Sequence, residues 1–205
     1  MKTLCCVLAF SFAALSTFGQ GCLVFQNGEV GREQFVYGLD PANPTSDVLE
    51  GIREKLSGPG YSAQIFWAEA DSSEADLKAL EGSQTSFKTG NLAGLLLEFS
   101  KKLCIPGTFG GTKVNLQMRV WDNQGGSLTS WAGVIMDNAV ARGMSQILSN
   151  WELSGLDAEH GPHVGSGNLK YRLRSFGLYL VPEPSVIAIS TLGFCALLLR
   201  RPDRG

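Results

Sequence analysis

Histidine is almost missing from this chain: among 205 residues only His160 and His163 occur, inside Glu159-His-Gly-Pro-His163. Gly161-Pro162 between them reads as a turn, and a metal there would need ligands from elsewhere. A solvated loop accounts for the pair, so no metal or cofactor is expected. There is no Gly-x-Ser-x-Gly segment, which leaves a serine hydrolase of that type without its nucleophile turn. The glycine-rich Gly107-Thr-Phe-Gly-Gly-Thr-Lys113 has the wrong order for a phosphate loop, which needs Lys before Ser or Thr at a helix start; Lys113 opens a strand pattern instead. Surplus positive charge is lacking as well. The whole chain has a formal net charge of −2, and residues 20–180 hold thirteen Lys and Arg against seventeen Asp and Glu. That balance argues against nucleic acid as a partner. The acids Glu69, Asp71, Glu74 and Asp76 cluster without the spaced Asp/Asn and Gly of a calcium loop, and acids at a helix N-terminus are stabilised by the macrodipole without an ion. A hydrolase would need converging carboxylates such as Asp122 with Asp137 or Glu152, and nothing in their spacing demands convergence. The expectation is a protein that is not an enzyme.

Cysteine becomes sparse once the two ends are set aside. Of five, Cys5 and Cys6 lie in the N-terminal apolar segment and Cys195 in the C-terminal one, leaving Cys22 and Cys104. The N-terminus has one positive charge at Lys2, an apolar stretch from Leu4 to Leu15, and Thr17 and Gly19 at the −3 and −1 positions of a cut before Gln20. Residues 1–19 therefore read as a signal peptide, handled by the Sec translocon and signal peptidase. The stretch is short for a retained transmembrane helix. A second alternative is a lipoprotein signal with Cys22 as the lipidated residue, although Gly19 stands where such signals usually carry Leu. In an oxidising compartment the two remaining cysteines suggest a Cys22–Cys104 disulfide. The alternative is two unrelated small hydrophobes.

At the other end, Val181-Pro182-Glu183-Pro184-Ser185 precedes an uncharged apolar run from Val186 to Leu199, then Arg200-Arg201. A helical run of that kind gains more from burying side chains in lipid than it loses by dehydrating the backbone. It covers only about 21 Å at the α-helical rise, against the ~30 Å of a bilayer's hydrocarbon core, so it needs help from its snorkelling arginines. Arg200, Arg201 and Arg204 hold the tail on the cytoplasmic side, which puts everything before Val181 outside the inner membrane. Pro182 and Pro184 keep Glu183 extended, in a form a protease or transpeptidase can grip. A plain single-pass anchor is the alternative reading. In its three parts, position and order, the segment closely resembles the PEP-CTERM sorting signal of Gram-negative bacteria. The resemblance implies recognition by the membrane enzyme exosortase near Pro182-Glu183-Pro184 and an association with exopolysaccharide and biofilm matrix.

Between the ends, residues 20–180 suffice for one domain with a real core. In Lys113–Trp121, Val114, Leu116, Met118 and Val120 share one face and Lys113, Asn115, Gln117 and Arg119 the other, which predicts a half-buried strand. Residues 61–70 and 169–180 alternate similarly, the latter with a slip near Ser175-Gly177; weaker candidates are 22–26, 85–88, 95–100 and 147–153. Helix signals occur at 47–56, at Ser73-Glu-Ala-Asp76, which resembles a capping box, and at 134–142. The predicted class is mainly β: a single β-sandwich or jelly-roll-like domain with a few short helices. Of four tryptophans, Trp121 falls by parity on the polar face of its strand and is the best candidate for stacking on a sugar ring; a core or sheet-edge position is the alternative. Gln20-Gly21 followed by Val24-Phe25-Gln26-Asn27, then Ala63–Phe66, Phe87–Gly90, Gln117–Asp122 and Leu173–Leu180 running into Val181-Pro-Glu-Pro are similar to PEP-CTERM proteins of Verrucomicrobia-like bacteria. Those usually have Thr where this chain has Cys22.

The expectation is therefore an exported protein, held in the inner membrane through residues 186–199, processed by exosortase, and then structural or adhesive at the cell surface or in an extracellular polysaccharide matrix. A secreted carbohydrate-binding module is the first alternative and a secreted hydrolase the second.

Overall fold

The computed structural model describes residues 20–28, 34–48, 53–98, 101–157, 161–162, 169 and 172–182. The chain is mainly β. In order, the strands are β1 (Gln20–Phe25), β2 (Val36–Tyr37), β3 (Tyr61–Glu69), β4 (Lys78–Ala79), β5 (Lys101–Phe109), β6 (Lys113–Asp122), β7 (Arg142–Met144), β8 (Leu148–Glu152), β9 (Leu156–Asp157), β10 (Gly161–Pro162) and β11 (Phe176–Gly177). One four-residue α-helix, α1 (Trp131–Val134), lies between β6 and β7.

β6 is the centre of the main sheet. It runs antiparallel to β3 from Lys113 to Asp122, with Val114 opposite Glu69 and Asp122 opposite Tyr61. Its other edge is shared by two strands: Lys113–Leu116 pair with β8 and Arg119–Trp121 with β7. β1 and β5 make a second, two-stranded antiparallel sheet. Leu23, Phe25, Leu103 and Ile105 from that sheet enter one core cluster with Ala63, Ile65, Trp67, Val114, Leu116, Met118 and Val120 from the main sheet. The odd-numbered side of β6 is covered too. Trp121 packs there with Phe66, Ala68, Leu77, Trp131, Val134 and Val140.

The strand expected at Lys113–Trp121 thus forms, but its polar face is not exposed. The segment from Leu128 to Val140 folds back over it, and Asn115, Gln117 and Arg119 are buried. They stay polar because they are partnered: Asn115 Nδ2 donates to Ser72 O (3.0 Å), and Gln117 Nε2 to Glu74 Oε1 and Ser145 O (3.2 Å each). Buried polar side chains that are hydrogen-bonded escape the desolvation cost.

Other expectations need correction. No strand covers 172–174: Arg172 and Leu173 both donate to Leu169 O in a turn, and pairing starts only at Phe176, parallel to Val36. The Ser73–Asp76 capping box is present, with Ser73 N donating to Asp76 Oδ2 (2.9 Å), but it opens a single 3-10 turn at Glu74–Asp76. At 53–56 the backbone is extended, with a bridge at Lys55 to Tyr37; residues 49–52 lie outside the described residues. The helix expected at 134–142 sits earlier, at α1, where the Ser130 hydroxyl accepts from Gly133 N. The strand at 101–109 lies outside the predicted ones and contains Pro106-Gly107, which a strand interior disfavours. It is accommodated by a bulge: register shifts between Gln20 and Cys22, opposite the residues between Phe109 and Cys104.

Candidate functional site

Alternation along β6 sends Arg119 to the face away from the main core, and β7 lays Arg142 opposite Trp121 on the next strand. Both guanidinium groups border a cleft of about 400 Å³ whose walls include Glu74, Trp131, Ile135, Tyr179 and Val181. Arg119 is 8 % and Arg142 7 % exposed. Arg119 Cζ stands 4.4 Å from the centroid of the Phe66 ring and 5.2 Å from that of Trp131, so two aromatic rings carry the cation. Its Nε donates to Gln117 Oε1 (2.8 Å). Arg142 Nη1 donates to Val134 O (2.7 Å) and Nη2 to Asn138 Oδ1 (3.4 Å), which ties it to the end of α1. Burial lowers the Arg119 pKa, and the Glu74 carboxylate opposes that; an arginine still keeps its charge. Tyr179 is pushed up by burial, against the pull of Arg142. Among the described residues, neither arginine has a carboxylate within salt-bridge distance; the ion pair found is Arg53 with Asp40 at 3.9 Å. The two guanidinium groups thus share the cleft with the Glu74 carboxylate.

A second hollow, about 560 Å³, is lined by Leu39, Pro41, Glu54, Lys55 and Tyr61. Lys55 Nζ lies 3.3 Å from the Phe35 ring centroid, so that cation is already engaged. Burial raises the Tyr61 pKa, helped by Asp122 and Glu54.

Cys22 and Cys104 face each other across β1 and β5 and form a disulfide with Cα atoms 4.0 Å apart. Trp121 is 0 % exposed and its Nε1 donates to Leu128 O (3.0 Å), so it is not available to stack on a sugar. Parity assigned its face correctly; what covers that face comes from Leu128–Val140. Of the carboxylates considered for hydrolysis, Asp122 and Glu152 do not converge. Asp122 and Glu152 sit against opposite ends of β6, about 30 Å apart at the rise of a strand. Asp137 Oδ1 is held by Ala139 N (2.9 Å). No group of three or more metal-ligating side chains occurs among the described residues.

Of the sorting residues, Val181 is half-buried and Pro182 exposed. Glu183, Pro184, Ser185, Arg200 and Arg201 lie outside the described residues, as do residues 1–19, His160, His163 and the apolar run 186–199. No helix among the described residues is long and apolar enough to cross a membrane. The arginine pair escaped sequence reasoning because a 3-10 turn and α1 separate Arg119 from Arg142, and β6–β7 pairing is what joins them. Comparison with protein-family models, with curated proteins and with solved structures finds no match for this chain.

Proposed function

We propose that this is an exported, non-enzymatic protein of the cell surface or extracellular matrix, whose C-terminal Val181-Pro-Glu-Pro-Ser185 is a sorting signal cut by an exosortase-type enzyme. The observation that carries the reading is the exposure of the chain at the start of the motif. Among the described residues the last bridge is that of Tyr179 to Arg142, Leu180 N donates to Pro44 O (2.7 Å), and Pro182 is exposed. Pro182 is the second residue of the motif, and its exposure suits a segment that an enzyme must grip. A disulfide between Cys22 and Cys104 fits folding in an oxidising compartment.

The body is a β-sandwich of jelly-roll-like character. In support, side chains from the β1–β5 pair and from the main sheet meet in one core cluster, as two layers packed face to face would require. The role is structural or adhesive, in a polysaccharide layer.

The test is expression in an exosortase-bearing Gram-negative host of the wild type and of a variant with Pro182, Glu183 and Pro184 all changed to Ala. Wild type should yield a shortened, released form while the variant accumulates as an uncut membrane form. Identical processing of the two refutes the proposal.

A further inference from the structure

The two cysteines of the Cys22–Cys104 disulfide are unequally placed. Cys22 is 0 % exposed, whereas Cys104 is half-buried and borders an open hollow of about 310 Å³ with Trp67, Lys78, Glu81 and Pro106. A hollow of that size suits a small ligand. Thiol–disulfide exchange depends on which sulfur is attacked and on access to it, and here the hollow gives access on the Cys104 side.

Opening the bond would leave the backbone pairing in place. Cys22 N donates to Ser154 O (2.8 Å) and Ser154 N to Cys22 O (2.9 Å), so the polar backbone groups of Cys22 are satisfied by Ser154 and not by the strand it is bridged to. β1 and β5 stay in register through Leu23–Leu103 and Val24–Lys102. A released Cys22 thiol would not be left unpartnered either, because Gln20 O lies 3.3 Å from Cys22 Sγ and can accept from it.

The walls of the hollow select the class of thiol. Lys78 Nζ stands 4.2 Å from the centroid of the Trp67 ring, a contact that leaves its N–H donors usable. Glu81 supplies a carboxylate at the same rim, and among the described residues it forms no ion pair with Lys78. One positive and one negative group side by side match a small molecule that carries a carboxylate and an ammonium of its own.

We propose that Cys104 is a thiol-exchange site for small amino-acid thiols of the cysteine type. The incoming thiolate sulfur bonds to Cys104 Sγ as the bond to Cys22 breaks; the electron pair leaves with Cys22 Sγ, which takes up the proton that the incoming thiol gave up. One disulfide is consumed and one mixed disulfide formed, so no oxidant or reductant is needed. Attack of Cys22 Sγ on Cys104 Sγ reverses the step and expels the small thiol. The site does not rest on the sorting proposal, and either can fail alone.

The experiment treats the full chain in detergent micelles with L-cysteine, stops it early with N-ethylmaleimide in acid urea, and maps the peptides by mass spectrometry. Any mixed disulfide is expected on Cys104, with Cys22 alkylated; an adduct on Cys22, or on both alike, overturns the proposal. Because return attack by Cys22 shortens the life of the adduct, each cysteine is also tested alone with cystine. Folded Cys22→Ala should acquire cysteine at Cys104, whereas Cys104→Ala should acquire it at Cys22 only after urea unfolds the chain. No transfer to Cys104 in the folded chain, or transfer to Cys22 that is as fast, overturns the proposal. Adding Lys78→Gln to Cys22→Ala should slow transfer from cystine by about two- to fivefold, the worth of an exposed ion pair, and leave transfer from 2-hydroxyethyl disulfide unchanged. Equal effects on the two disulfides, or none on either, overturn the assignment to amino-acid thiols.

Discussion

Replacing Cys22 and Cys104 together by Ala removes a bond that joins β1 to β5 across 82 residues of sequence. In the chain-entropy view a crosslink restricts the unfolded chain, and a loop of that length is worth about 4.5 kcal/mol. Alanine is the suitable replacement because Cys22 is fully buried and a serine hydroxyl there would need a partner. The strands stay paired in the folded state through Leu23–Leu103 and Val24–Lys102, so the loss should come mainly from the freed unfolded chain. For a chain of this size, about 4.5 kcal/mol corresponds to a Tm lower by roughly 9–18 °C. The assay is thermal and urea unfolding of the full chain in detergent, followed by circular dichroism. An unfolded chain without the crosslink also exposes more surface, so the urea m-value should rise. A Tm within about 4 °C of wild type, together with an unchanged m-value, refutes the reasoning.

Two further outcomes follow from local geometry. A Cβ added at Gly143 would stand 2.6 Å from Gly177 O and 3.1 Å from Leu178 Cδ2, and the first of these is backbone that cannot swing aside. Gly143→Ala should therefore cost about 1–3 kcal/mol, as overpacking does; unfolding that matches wild type within error would mean β7 and β11 do not approach as described. Asp76 is pulled below its ordinary value by hydrogen bonds from the Ser73 hydroxyl and the Ser73 backbone N–H. A lowered folded-state pKa contributes stability that is present above the unfolded value, near 3.8, and is lost as pH falls through the folded one. The gap between wild type and Asp76→Asn should thus be small at neutral pH, constant down to the ordinary carboxylate range, and vanish in stronger acid; a gap that widens in acid contradicts the cap.

How far the sequence reaches can be seen along β6. Val114, Leu116, Met118 and Val120 announce a strand and its core face through local alternation, and Tyr61–Glu69 does the same for its partner. The opposite face was misread as solvated because Asn115, Gln117 and Arg119 look like surface residues. Their partners, Ser72, Glu74 and Ser145, are 43, 43 and 28 positions away, and no local pattern records such pairings. The same distance hid the cleft. Arg142 reads as the end of a helix until β7 pairs with β6, and Tyr179 reads as the end of a strand until its bridge to Arg142 is seen. β5 contains Pro106-Gly107, a poor local signal for a strand, and forms through a long-range pairing with β1 that a bulge makes possible. By contrast, the sorting motif is legible because it is contiguous.

The most direct test of the central proposal is the intact mass of the mature protein recovered from the envelope and medium of an exosortase-bearing host. A species starting at Gln20 and ending between Val181 and Ser185, which disappears when Pro182, Glu183 and Pro184 are changed to Ala, is the predicted result. Recovery of the wild type with its C-terminus intact to Gly205 would contradict it.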